Sequence, residues 1–180
     1  MHRVMGVDIE TYSSVDLAEA GVYAYVEAPD FDILLISYTF DDWGEDDVKT
    51  IDCFDADPDM MAEFCEALLD PKIVKTAFNA NFERTCLAKW LQKPMPPEEW
   101  RCTMVKALTL GLPGNLAGAG EALGLPSEKL KDPQGKALIQ FFSKPCKPTR
   151  TNGQRTRNLP QHDPAKWQLY KSYNRQDVVT

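Results

Sequence analysis

The apolar run Val4-Met5-Gly6-Val7 leads into Asp8-Ile9-Glu10, and residues 3–9 read as a strand. Residues 32–40, Asp-Ile-Leu-Leu-Ile-Ser-Tyr-Thr-Phe, read as a second and 48–54 as a third, with the polar stretch 41–47 and its Gly44 as a hairpin-like turn between them. Pro58 opens a helix whose Met61, Phe64, Cys65 and Leu68 recur at helical spacing, and Asp70-Pro71 ends it. Residues 72–77 form a fourth strand, after which Asn79 or Asn81 caps a helix running to about Trp90. Pro94, Pro96 and Pro97 then break the chain. Helical patterns return at about 102–110, 115–123 and 133–143, punctuated by Gly111, Pro113-Gly114 and Gly124. A last helix starts near Asp163-Pro164, with Asp at the cap and Pro in the first turn, and carries Trp167, Tyr170, Tyr173 and Asp177. An antiparallel hairpin, then β-α units, then a helical second half make an α/β domain. The last helix reaches Thr180 with no stop signal, as expected of a domain cut from a longer polypeptide.

Composition narrows the class. A chain of 180 residues suits a single domain, 1–180, with a good core. No apolar stretch is long enough to span a membrane, and acids by position 8 come too early for a signal peptide. Five cysteines with no C-x-x-C pair argue against a complete disulfide framework, so a reducing, cytoplasmic compartment is expected. A net charge of −7 argues against a nucleic-acid partner. The basic loop 144–161 qualifies that, since it holds Lys144, Lys147, Arg150, Arg155 and Arg157 and no acid. A basic strip on an acidic body suits an enzyme that grips a polyanion, and it equally suits a solvated loop.

Asp8 and Glu10 are the first candidate site. Two residues apart on a strand, they point to the same side. Two acids at the end of a buried strand repel each other and lose hydration, and a divalent cation removes both costs. The same spacing occurs at Asp30/Asp32, Glu45/Asp47, Asp55/Asp57 and Asp57/Asp59, all in polar stretches, so spacing alone leaves a solvated pair as the alternative. Two more segments offer acids: Phe78 to Glu83, just after the fourth strand, and Tyr173 to Asp177, four apart on one helical face. Each has an ordinary reading on its own. Asn79 caps a helix, Phe82 is core, Glu83 pairs with a base such as Arg84, and Tyr173 packs beside a surface acid.

The three segments in this order resemble the proofreading 3′–5′ exonucleases with four metal-binding acids and a tyrosine, of the ribonuclease H-like superfamily. Their Asp-x-Glu motif is matched by Asp8 and Glu10, their Asn-x-x-x-Asp by Asn79 and Glu83, and their Tyr-x-x-x-Asp by Tyr173 and Asp177. The chain is more closely similar to the N-terminal exonuclease domain of phage and prophage family A DNA polymerases. Asp-Ile-Glu-Thr-Tyr-Ser-Ser at 8–14, Phe-Glu-Arg-Thr-Cys at 82–86 and Trp-Arg-Cys-Thr-Met-Val-Lys-Ala-Leu at 100–108 carry that likeness. So do Asn-Gly-x-Arg-Thr-Arg-Asn-Leu-Pro at 152–160 and Gln-Asp-Val at 176–178. Two positions depart from most relatives: Glu83 stands for Asp, and Phe78 for His.

The resemblance implies a ribonuclease H-like mixed sheet flanked by helices, and hydrolysis of the terminal phosphodiester of DNA to release nucleoside monophosphates. It implies two divalent cations, Mg²⁺ or Mn²⁺, held by Asp8, Glu10, Glu83 and Asp177, with Asp8 shared and Glu83 acting on the second. Tyr173 would orient the attacking water. Thr11 and Tyr12 would contact the terminal nucleotide. Asn79 caps its helix or contacts substrate, and the loop with Arg155 and Arg157 would supply a groove for a single-stranded 3′ end. A polymerase domain would follow in the same chain, proofread by this one, in a bacterial host or phage-infected cell. An RNA-trimming exonuclease of the ribonuclease D type and a catalytically silent nucleic-acid-binding module are the alternatives.

Overall fold

A computed structural model describes residues 3–126 and 135–180. At its centre is β1, Val4–Tyr12. On one side β1 pairs antiparallel with β2, Asp32–Phe40, which pairs antiparallel with β3, Lys49–Asp52. On the other side β1 pairs in parallel with β4, Val74–Ala77, and β4 with β5, Trp100–Cys102. The order β3-β2-β1-β4-β5, with the hairpin antiparallel and the rest parallel, is a mixed α/β sheet of ribonuclease H-like form. Seven helices flank it among the described residues: α1 (Leu17–Val26), α2 (Pro58–Leu69), α3 (Ala80–Leu91), α4 (Thr103–Thr109), α5 (Leu116–Ala122), α6 (Gly135–Phe142) and α7 (Pro164–Val179). None of them is long and apolar enough to cross a membrane. All five cysteines are free thiols.

The period of two along β1 divides its work. Met5, Val7 and Ile9 join Ile36, Tyr38 and Phe40 of β2 in a core closed by Phe64 and Leu68 of α2 and Cys86 and Leu87 of α3. Asp8 and Glu10 alternate with those residues and reach side chains of α7. There a second cluster forms from Tyr12, Leu34 and Leu35 with Leu138 and Phe142 of α6 and Trp167, Tyr170 and Tyr173 of α7. Capping fixes where the helices start. Asp57 accepts from the amides of Asp59 and Met60 ahead of Pro58, and Asp163 accepts from that of Lys166 ahead of Pro164.

Several elements differ from the sequence expectation. The first strand does not end at the acids. It continues to Tyr12 through a register shift between Glu10 and Thr11, which swings buried Tyr12 opposite Asp32. α1 and β5 have no counterpart among the expected elements. α1 is mostly exposed and interrupted at Gly21, whose φ of 75° breaks any helical period, and β5 is three residues, too short for a period to show. The helical pattern expected from 102 begins at Thr103. The pattern expected at 133–143 appears as Gly135–Phe142, and residues 133–134 lie outside the described residues. Asn79 occupies the cap position of α3 but makes no side-chain capping hydrogen bond. The segment 144–161 is a loop as expected, closed on itself by Cys146 N–H to Thr156 O and Gln154 N–H to Thr149 O.

Candidate active site

β1 presents Asp8 and Glu10 to the inner face of α7. That helix is drawn onto the sheet by Trp167, Tyr170 and Tyr173, all buried, with the rings of Tyr170 and Tyr173 stacked 6.1 Å apart. Residues 170, 173, 174 and 177 share one face of a helix, so the packing that buries the tyrosines also delivers Asp177. Carboxylate oxygens of Asp8, Glu10 and Asp177 lie within 4.8 Å of one another. Three like charges at half-buried and buried positions repel strongly unless a cation or protons intervene. An all-carboxylate donor set of this kind fits a hard cation such as Mg²⁺ or Mn²⁺.

Glu83, in the first turn of α3, is 5% exposed. Its Oε2 finds no hydrogen-bond partner among the described residues. Burial pushes its carboxyl well above the ordinary 4.5, and the charge of Asp8 pushes it further, with a smaller push from Glu10. Glu83 is therefore near the acid cluster without belonging to the set within 4.8 Å. A buried carboxylate oxygen left without a donor is an atom that a second cation would satisfy. Arg84, the base that sequence offered as its partner, turns instead to Met95 O and Asn81.

Tyr173 is 1% exposed, and its hydroxyl is hydrogen-bonded to Asp177. Burial raises its pKa far above 10, and the charges of Asp177, Glu10 and Asp8 raise it further. It is a phenol at any working pH, facing three carboxylates. Two neighbours on α7 carry no motif that singles them out in the sequence. Tyr170 donates to Glu10 Oε2 and lies 2.7 Å from Ser143 Oγ. Asn174, wholly buried, donates to Asp8 Oδ2 at 2.7 Å. Their helical spacing from Tyr173 and Asp177 is the one signal that points to them.

The expected substrate contacts are more dispersed. The Thr11 hydroxyl is 2.8 Å from that of Tyr25. Tyr12 is a core residue with the Arg157 guanidinium 4.1 Å over its ring, so the guanidinium covers that ring face. Arg157 is ion-paired with Asp32 at 3.0 Å. Arg155 is used within its own loop, on Asn158 and the carbonyl of Asn152. Asn79 is exposed. Two cavities flank the acids. One of about 440 Å³ meets Asp8, Asp177, Phe78 and Lys106, and one of about 280 Å³ meets Glu10, Thr11, Phe82, Ile139 and Lys144.

No protein-family model matches the chain. Over 176 residues it is 57% identical to a protein named DNA polymerase from Bacillus phage SP02, an alignment that takes in 98% of this chain and 26% of that protein. The chain thus spans about a quarter of the length of the curated relative it matches.

Proposed function

We propose that this chain is a metal-dependent 3′–5′ exonuclease. It hydrolyses the terminal phosphodiester of a single-stranded DNA end and releases a nucleoside monophosphate. On this reading it is the N-terminal proofreading domain of a longer polymerase chain, in the cytoplasm of a bacterial host or phage-infected cell. The convergence of Asp8, Glu10 and Asp177, from opposite ends of the chain, carries the proposal. The likeness to a phage protein named DNA polymerase favours DNA over RNA as the substrate.

Asp8, Glu10 and Asp177 would hold the cation that serves the attacking water, and Asp8 with Glu83 would serve a second. Bound there, two divalent cations would supply charge neutralisation at the reacting phosphate and a lowered pKa for water. The protein's own groups do the rest. Tyr173 orients the water with its hydroxyl, and a phenol, with an ordinary pKa of about 10, is a poor general base, so lowering the pKa of the water falls to the cations. The cavity of about 280 Å³ beside Glu10 and Thr11 receives the terminal nucleoside, with Phe82 and Ile139 as its apolar walls. Thr11, Asn79, Arg155 and Arg157, with Tyr12 beneath Arg157, are the proposed contacts to the strand. The exposed Lys147 and Arg150 add longer-range attraction.

The test is Mn²⁺ titration with end-labelled single-stranded DNA and RNA of one sequence. Monophosphate release from DNA, absent in Asp8→Ala, is expected. Release from RNA alone points to an RNA-trimming enzyme, and wild type equal to Asp8→Ala leaves a silent binding module.

A further inference from the structure

α7 supplies more to the acids than Tyr173 and Asp177. We infer that Tyr170 and Asn174 are positioning residues that hold the carboxylates of Glu10 and Asp8 for cation binding. The inference rests on the exonuclease reading above and assigns the same site two further residues.

Proton directions in both contacts follow from what each atom can do. Glu10 Oε2 accepts from the Tyr170 hydroxyl. That uses the only proton of Tyr170, so Ser143, whose Oγ is 2.7 Å away, must donate to the phenol oxygen. One relay therefore runs Ser143 to Tyr170 to Glu10. Asn174 Nδ2 donates to Asp8 Oδ2 at 2.7 Å, which turns its carbonyl oxygen toward Ser37 Oγ at 2.6 Å. Ser37 spends its proton on Asn174, so Thr50, 2.8 Å from it, must donate to Ser37. The second relay runs Thr50 to Ser37 to Asn174 to Asp8. Both end on a strand acid, and Tyr170, Asn174 and Ser37 are fully buried.

The donors are neutral, and that is the physical point. Glu10 and Asp8 lie on one side of one strand and repel each other. A lysine or arginine would also hold them, but its charge would compete with the cation. A phenol and an amide fix each carboxylate without adding a positive charge that would repel the cation, and the relays behind them fix the donors. Because both donors sit on the helix that carries Tyr173 and Asp177, one packed element sets the whole constellation.

The experiment measures Mn²⁺ affinity by calorimetry on residues 1–180 as wild type, Tyr170→Phe and Asn174→Ala. Melting curves verify the fold, and the rate is followed against Mn²⁺ concentration. Affinity should fall on the order of 10–100-fold in each variant, the range found when partners of metal ligands are removed. Raised Mn²⁺ should recover most of the rate, which a loss of Asp8 itself would not allow. A merely structural role would lower the melting temperature and leave the affinity of the folded protein unchanged, and that result overturns the inference. A wild type that binds no Mn²⁺ overturns the exonuclease reading as well. If Tyr170→Phe fails to fold, Ser143→Ala keeps the ring and removes only the donor behind it. A several-fold weaker affinity is then expected, and an unchanged one overturns the role of Tyr170.

Discussion

Gly135 stands directly against the ring of Tyr173: a Cβ on Gly135 would lie 2.0 Å from Tyr173 Cε2 and 2.5 Å from Cζ. The first residue of α6 is thus a glycine because the ring takes the space a side chain would need. Gly135→Ala should push Tyr173 off its position beside Asp177. Overpacking of this kind costs about 1–3 kcal/mol of stability. The turnover rate should drop at least about tenfold, since displacements of about 1 Å cost rates that much or more. Steady-state kinetics at saturating Mn²⁺ checks this, and unchanged turnover would show that the ring position is immaterial.

Glu83 makes the metal-free protein sensitive to pH. Its folded pKa lies above the ordinary 4.5, so the fold binds its proton more tightly than the unfolded chain does. This cost is absent below about pH 4.5, grows as the pH rises toward the folded value, and stays constant above it. In chelator at pH 8, Glu83→Gln should therefore be more stable than wild type by about 1–3 kcal/mol. The difference should shrink toward pH 4. Denaturant melts at both pH values decide it, and a variant less stable at pH 8 would mean that Glu83 is satisfied when ionised.

The basic loop divides into cations tied to the fold and cations open to solvent. Arg157 pairs with Asp32 and stacks on Tyr12, whereas Lys147 and Arg150 are exposed. Replacing Lys147 and Arg150 together by alanine should lower the log–log salt slope of single-stranded DNA binding by up to about 1.4, at about 0.7 per charge. Arg157→Ala should change the slope less and lower stability. Binding isotherms at several salt concentrations separate the two, and a larger slope change in Arg157→Ala would make that arginine the main phosphate contact.

Lys75 is wholly buried on β4, its ammonium 2.7 Å from Asp70 O and 2.9 Å from Glu99 Oε2. It ties the end of α2 to the turn before β5. Lys75→Ala should cost about 3 kcal/mol, the low end for breaking a buried pair, because Glu99 keeps partial access to water. A urea melt measures it, and a loss under about 1 kcal/mol would mean that the site rehydrates.

Much of the fold is legible in the chain. Strands and helices that bury one face leave a period of two or of 3.6, which is why β1, α2, α3 and α7 show in residue spacing, while β2, buried on both faces, shows as an unbroken apolar run. The elements that do not show have no such trace. α1 is mostly exposed and turns at Gly21, β5 is three residues long, and the register shift after Glu10, where β2 carries Leu34 as an extra residue, sets Tyr12 opposite Asp32 with no local signal.

By itself the sequence determined which side chains share a face: Asp8 with Glu10 on a strand, and Tyr173 with Asp177 on a helix. Such facts depend only on the repeat of the backbone. Only the tertiary structure decided that these faces meet within 4.8 Å and that Glu83 is buried close by with one oxygen unsatisfied. It alone decided that Asn174 and Tyr170 grip the strand acids, that Gly135 makes room for Tyr173, and that Arg157 is ion-paired with Asp32. Those outcomes depend on where α7 lies across the sheet. Its position follows from packing Trp167, Tyr170 and Tyr173 against residues far away in the chain, and no local spacing records that.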